Sequence, residues 1–310
     1  MAVIDDKLLH NGPRAPPRMQ RLSDHSVLVR AAGKYNLTLA VGDERPDGYH
    51  AFESLMATVT LLDELTITRG DRGIRIRCDD PTVPVDGRNL VYRAAFLLAW
   101  CAKISAAIDV DLRKRIPTEA GLGGGSSDAA ACLIALNELW DLNWPVSRLS
   151  HVAAVLGSDV SFFLSGPLAI CRGRGEEVYP LAFTWPFWSV LVHPSDRLPT
   201  PQVYAHHRPS DPNCFGLADE LAADLATHAV SQVADRFRND LEAPAFRING
   251  TLGTLREQLE RVGHRPVRMT GSGTAMFAMF DGRDEAAAFL ERAKGSYPEV
   301  AYRLVRNNLW

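Results

Sequence analysis

Residues 117–131 read Pro117-Thr118-Glu119-Ala120-Gly121-Leu122-Gly123-Gly124-Gly125-Ser126-Ser127-Asp128-Ala129-Ala130-Ala131. The run just before it alternates: Ile108, Val110 and Leu112 face one way, Asp109, Asp111 and Arg113 the other, which predicts a half-buried strand over 107–115. The run after it predicts a helix of small residues from about Ser127 to Leu139. Glycine allows backbone torsions that other residues avoid, and without side chains the N–H groups can turn toward one centre. At a helix N-terminus those donors and the helix dipole make an anion site, and a triphosphate is its natural occupant. The plain alternative is a glycine turn that holds nothing. No Gly-Lys-Ser/Thr follows, so this is not a Walker A loop. Nor is it a Rossmann fingerprint, because the third glycine position falls on Ser126 or Asp128. A cation for the phosphates must come from elsewhere in the chain.

Upstream, strands are expected at 26–32 and 36–41, then a polar turn over 42–50 containing Asp47-Gly48, then strands near 52–61, 63–69 and 73–78. Leu90, Ala94, Leu97, Leu98 and Cys101 recur at helical spacing, predicting a helix from Asn89 to Lys103. A second helix is expected over 147–156 with Ser147 as N-cap, followed by strands near 168–172 and 187–193. The proline-rich stretch 194–212 is the candidate boundary. Beyond it the pattern is helix (216–227), helix (252–262), strand (266–270), glycine loop, strand (275–280), helix (284–294) and strand (300–305). The expected organisation is a loose extension over 1–24, a first domain over 25–193 and a second over 194–310, both α+β.

Composition narrows the class of function. The chain has 310 residues, 46% hydrophobic and 23% charged, within the globular range. Thirty-four Lys and Arg against 37 Asp and Glu leave −3, so no broad basic field recruits nucleic acid. The five cysteines include no Cys-x-x-Cys pair, which argues against a disulfide framework or zinc ribbon and points to a reducing cytoplasm. No apolar run reaches the ~18 residues of a spanning helix. Arg14, Arg18 and Arg21 are not followed by the apolar stretch of a secretory signal.

Three further segments bear on chemistry. Lys34 sits in Gly33-Lys34-Tyr35-Asn36-Leu37 at a break between two expected strands. Asp159 follows a helix in Leu156-Gly157-Ser158-Asp159-Val160. A second glycine loop, Gly271-Ser272-Gly273, lies between two strands. Singly these read as a surface lysine, a capping aspartate and a hairpin turn. In this order, with the loop 117–127 between them, the chain resembles the small-molecule kinase superfamily named for galactose, homoserine, mevalonate and phosphomevalonate kinases. Arg45-Pro46-Asp47-Gly48-Tyr49-His50, the Leu-Gly-Ser-Asp segment and Asn239-Asp240-Leu241-Glu242 narrow the resemblance to its diphosphocytidyl-methylerythritol kinase family.

The resemblance implies a first domain like ribosomal protein S5 domain 2 and a ferredoxin-like second domain, with substrates in the cleft between them. It implies transfer of the γ-phosphoryl of ATP to the 2-hydroxyl of a cytidine-diphosphate-linked methylerythritol, in the non-mevalonate route to isoprenoids. Lys34 and Asp159 match the catalytic pair, and Pro117 to Ser127 the segment that holds the ATP phosphates. Tyr49 and His50 match cytidine-binding positions, and Tyr204 an aromatic on the other face of the base. Asn36 and Thr200 match positions near the acceptor hydroxyls, and Gly271, Ser272 and Gly273 line the cleft. Mg²⁺ is expected with ATP, without an assigned protein ligand. The expected partners are small molecules alone, with no nucleic acid and no membrane, for a cytoplasmic monomer or weak homodimer. The alternatives are a homoserine- or mevalonate-type kinase, which the Tyr49/His50 loop disfavours, and a catalytically silent nucleotide-binding protein on the same scaffold. This chain has Ala32-Gly33-Lys34 where relatives commonly carry Pro-Ala-Lys, and Ser161 where they carry proline. The basic Cys171-Arg172-Gly173-Arg174-Gly175 turn reads as solvated, the alternative being a charge facing phosphate.

Overall fold

Two long strands organise the molecule. The computed structural model describes residues 18–46, 48, 50–182, 186–208 and 215–307. Strand β2 (Ser26–Glu44) and strand β3 (His50–Arg69) pair antiparallel along nearly their whole length, from Ser26 opposite Thr68 to Glu44 opposite His50. Each was expected as two shorter strands. The alternation is broken where polar Lys34 and Asn36 sit at buried positions, and the pairing continues through register shifts at Ala32/Gly33 and Asn36/Thr38.

Among the described residues the first sheet holds eight strands. Its main path is β1 (Met19–Ser23), β2, β3, β5 (Ile108–Arg113) and β4 (Ile74–Cys78). Strand β6 (Leu168–Arg172) adds to β3, β7 (Glu177–Pro180) to β6, and the short β9 (Arg238–Asn239) runs parallel to β2. The second sheet is antiparallel in the order β10 (Arg268–Met269), β11 (Met276–Phe280), β8 (Trp188–His193), β12 (Ala301–Arg306).

Two expectations need correction. Residues 19–23, placed in the loose extension, form β1 against β2, and Arg18 donates to the Phe163 carbonyl. Strand β8, placed in the first domain by a boundary at 194, is an inner strand of the second sheet, while β9 returns to the first. The proline-rich stretch marks a break in regular structure, but strand partners are chosen by burial at long range. Val190 and Val192 face one core with Met276, Ala278 and Phe280; Leu191 faces the other with Phe277 and Met279. Strands buried on both faces read as continuous apolar runs, so their sheet cannot be told from pattern.

Helices α1 (Leu90–Ala102), α2 (Gly124–Leu139), α3 (Val146–Leu156) and α4 (Val160–Ser165) cover the first sheet. Ser147, expected as the N-cap of α3, lies inside that helix; Pro145 holds the cap position. Ala129, Ala130, Ala131, Cys132 and Ala135 make α2 buried nearly all round, so small residues let it lie close against β2. Beyond α5 (Thr200–Ala205), α6 (Leu217–Leu225), α7 (Val230–Val233) and α8 (Glu242–Ile248), helices α9 (Gly250–Gly263) and α10 (Arg283–Ser296) cover the second sheet. The sheets meet through a shared apolar cluster in which the Tyr35 ring stacks on Phe277, centroids 4.5 Å apart. No helix among the described residues is long and apolar enough to cross a membrane.

Candidate active site

Lys34 lies between the register shifts of β2 at Ala32/Gly33 and Asn36/Thr38, and bulges there re-aim side chains off the regular alternation. Its side chain is buried, donates from Nζ to Asn36 Oδ1, and has Nζ 3.8 Å from Asp159 Oδ2. Burial holds the amine below the ordinary lysine range, opposed first by Asp159 and then by Cys171. Asn36 is held in turn by Ser54, which accepts from Nδ2 at 2.8 Å, and its backbone N–H donates to Thr270 Oγ1 at 3.0 Å.

Asp159 occupies the N-cap position of α4, yet its side chain makes no capping hydrogen bond. The capping explanation therefore does not account for this residue. Its carboxylate is partly exposed and faces the buried ammonium.

The glycine loop is clamped on both sides by main chain. Lys34 N–H donates to the Leu122 carbonyl at 2.9 Å and Ala275 N–H to that of Ala120 at 3.2 Å. Gly121 has φ +81°, and a Cβ there would lie 2.2 Å from the Thr270 carbonyl oxygen. At Gly123 (φ +70°) a Cβ would lie 3.0 Å from Phe163 and 3.1 Å from Lys34. Only glycine permits both the torsion and the approach. Gly123 is the N-cap of α2 and has no side chain to satisfy the first-turn N–H groups. Those donors and the positive end of a long helix adjoin the cleft that Gly121, Gly123 and Ser126 line.

The cleft encloses about 680 Å³, a volume suited to small-molecule ligands. The same cleft is lined by His50, Tyr204 and Thr200, and by Gly271 and Ser272 of the second glycine loop, which packs against Gly121. The His50 and Tyr204 rings are 5.5 Å apart. His50 Nδ1 is 2.9 Å from the Gly42 carbonyl oxygen. A carbonyl only accepts, so Nδ1 carries a proton, and in the neutral ring Nε2 is left as an acceptor. Thr200 Oγ1 and Ser272 Oγ are 2.7 Å apart, and Asn239 Nδ2 donates to the Met269 and Gly271 carbonyls, fixing the second loop against β9.

Comparison with known proteins places this geometry. Residues 89–167 match the GHMP kinases N terminal domain and 216–299 match GHMP kinases C terminal. The chain is 37% identical over 282 residues to 4-diphosphocytidyl-2-C-methyl-D-erythritol kinase of Shouchella clausii, covering 90% of this chain and 95% of that one. The chain belongs to the 4-diphosphocytidyl-2-C-methyl-D-erythritol kinase family. A crystal structure titled 4-(cytidine 5'-diphospho)-2C-methyl-D-erythritol kinase superposes with TM-score 0.73 at 36% identity, over 91% of this chain and 99% of its own. Homoserine kinase from Cytophaga hutchinsonii superposes with TM-score 0.74 at 18% identity, over 94% and 96%, and shares the fold. The fold is thus the two-domain α+β GHMP kinase architecture, and the chain is a phosphotransferase acting on an alcohol group.

Against the residues expected from the family pattern, one cleft gathers Lys34, Asn36, His50, Glu119, Gly121, Gly123, Ser126, Asp159, Thr200, Tyr204, Gly271 and Ser272. Pro117, Thr118, Gly124, Gly125 and Gly273 do not line it. Ala120 and Leu122 turn into the core and act through their carbonyls, and Ser127 is buried, leaving Ser126 as the hydroxyl on the cleft. Tyr49 lies outside the described residues.

The turn expected to be solvated is engaged on both arginines. Arg172 donates to Glu53 at 2.9 Å and pairs with Asp219, while Arg174 stands on the cleft wall 3.5 Å from Glu176. Its signal was the charge density of the segment, which pattern alone could not aim. Thr270, which helps hold the second loop, carried no signal distinguishing it from a turn residue, while Asn239 was marked only as part of the Asn239-Asp240-Leu241-Glu242 segment, with no role assigned. Among the described residues no group of three or more His, Cys, Asp or Glu is placed to hold a metal ion.

Proposed function

We propose that this cleft transfers the γ-phosphoryl of ATP to the 2-hydroxyl of 4-diphosphocytidyl-2-C-methyl-D-erythritol, the reaction of the family. The observation that carries the mechanism is the convergence of the Lys34 ammonium and Asp159 carboxylate, 3.8 Å apart, on the cleft lined by Gly121, Gly123 and Ser126. A tertiary alcohol is a weak nucleophile with a high pKa. Asp159 accepts a hydrogen bond from it and takes its proton as the new P–O bond forms and the bond to the β-phosphate oxygen breaks. Lys34 offsets charge on the transferring group, and its burial strengthens that interaction. The first turn of α2 holds the phosphates in line.

On the acceptor side, His50 Nε2 suits the exocyclic amine of cytosine and Tyr204 offers a ring face. Thr200 and Asn36 line the same cleft and, in this reading, meet the polyol hydroxyls. In this reading Mg²⁺ accompanies ATP and neutralises phosphate charge. The enzyme works in the cytoplasm as a monomer or weak homodimer; the four described cysteines, all free thiols, suit a reducing compartment.

The test is ADP release in a coupled assay with the cytidylyl acceptor, homoserine and mevalonate offered separately. Turnover with the first alone is expected. Equal turnover with homoserine or mevalonate would overturn the acceptor assignment, and an Asp159→Asn variant with parental turnover would overturn the mechanism.

A further inference from the structure

Behind the glycine loop lies a buried charge cluster that the mechanism above does not use. Lys114 Nζ, from the residue just past β5, donates to Asp128 Oδ2 on α2 at 2.6 Å and to Asp63 Oδ2 on β3. The three side chains are 6%, 5% and 0% exposed. The other oxygen of Asp63 accepts the backbone N–H of Arg115 and, at 2.8 Å, that of Ile116. Ile116 immediately precedes the loop, and Asp128 stands one turn into the helix that leaves it. A Cβ added to Gly124, the first residue of α2, would sit 3.3 Å from Lys114 Nζ. The ammonium thus touches the underside of the turn whose N–H groups adjoin the cleft.

We propose that Lys114 is a positioning residue for the nucleotide: by joining Asp63 and Asp128 it locks the entry of the phosphate loop to its exit and sets the charge behind the phosphates. The proposal rests on the reading of residues 117–127 as the ATP-phosphate site. It predicts an effect on ATP that the acceptor does not share, since the cluster touches the glycine loop at Gly124 and none of its three residues lines the cleft beside His50 and Tyr204.

The charge count sharpens it. Two carboxylates share one ammonium, and Asp128 Oδ1 is buried without a partner among the described residues. Burial pushes the Asp128 carboxyl up, Lys114 pulls it down and Asp63 pushes it up again; Cys132, one turn on, is the other titratable group coupled to it. A triphosphate at the N-terminus of the same helix repels a second negative charge there, so nucleotide binding favours the protonated carboxyl. ATP affinity should then weaken as rising pH strips that proton.

The experiment compares the full chain with Asp128→Asn and with Lys114→Met/Asp128→Asn. The double variant removes the ammonium together with the carboxyl it binds and leaves Asp63 with its two backbone donors, so it is the variant expected to fold where Lys114→Met alone would leave Asp128 buried without its donor. Steady-state KM values for ATP and for the cytidylyl acceptor are measured across about pH 6.5 to 9. The double variant is expected to raise the ATP KM by about tenfold or more and the acceptor KM by less than about twofold. The parental ATP KM is expected to rise with pH and that of Asp128→Asn to stay flat. A merely structural cluster would move both KM values together or neither, and either result overturns the proposal. Ser126→Glu, which puts a carboxylate on the cleft face of the loop, tests the underlying reading. If it leaves the ATP KM unchanged, the phosphate-site assignment fails and the proposal with it. If it raises that KM while the cluster variants behave as the parent, only the proposal fails.

Discussion

The backbone N–H of Lys34 donates to the carbonyl oxygen of Leu122 at 2.9 Å. The strand bearing the amine proposed as catalytic and the loop assigned to phosphate are therefore joined by main chain, and that joint does not need the lysine side chain. Lys34→Met should keep its fold, seen as an unchanged far-UV circular dichroism spectrum, and should lose roughly 10²- to 10³-fold in kcat. The loss should appear in single-turnover phosphoryl transfer as well as in steady state. A folded Lys34→Met variant that retains parental single-turnover rates would contradict the assigned role.

The residues of this joint show how far the sequence could be read. The three motif segments are local strings, and their order was enough to bring Lys34, Asp159 and the glycine loop into one expected site. Helices with a one-sided apolar stripe, such as α1, were legible from spacing. The continuity of β2 was not, because Lys34 and Asn36 are polar at buried positions whose partners, Asp159, Ser54 and Thr270, are remote in sequence. The second-sheet membership of β8 was hidden for a related reason, since both its faces are apolar. Lys114 and Asp63 gave no hint of each other: Asp63 lies on β3 and Lys114 just past β5, remote in sequence, and only the sheet brings them together under α2.

Gly121 separates backbone strain from steric clash. Gly121→Ala combines an unfavourable φ of +81° with a Cβ 2.2 Å from the Thr270 carbonyl oxygen. Gly48→Ala has a similar φ of +78° and nothing within 4 Å. Strain alone should cost about 1–2 kcal/mol in urea unfolding at Gly48. The clash at Gly121 should cost at least ~1 kcal/mol more, because the second glycine loop must shift to make room. Gly121→Ala should also depress turnover. Equal unfolding midpoints for the two variants would show that the loops are not held in contact.

The tautomer of His50 predicts base selectivity. With Nδ1–H committed to the Gly42 carbonyl, Nε2 meets an amine well and a carbonyl oxygen badly. A uridine analogue of the acceptor presents a carbonyl where cytidine presents its amine. Its kcat/KM should fall by about 10²-fold or more, as expected when two acceptors face each other in a desolvated site. His50→Ala should reduce activity with the cytidine acceptor and shrink the difference between the two bases. Unchanged discrimination in His50→Ala would place base recognition elsewhere in the cleft.

The Asp128 carboxyl makes stability as well as binding depend on pH. Burial pushes its pKa up to about 8, from an ordinary 3.8 that the unfolded chain would restore. Between those values the folded protein holds a proton that the unfolded chain has released. Stability from this group is therefore full below about pH 4 and declines as pH rises through about 8. Lys114, held above its ordinary range by Asp128 and Asp63 against the opposing effect of burial, keeps its charge throughout that window. Asp128→Asn removes the titrating proton while preserving the shape of the side chain. Its melting temperature relative to the parent should thus rise steadily from pH 5 to pH 8.5, by several degrees in all at about 2–4 °C per kcal/mol. A difference that stays constant across the range would mean that Asp128 is ionised throughout, and that Lys114 carries both carboxylates as a net anion.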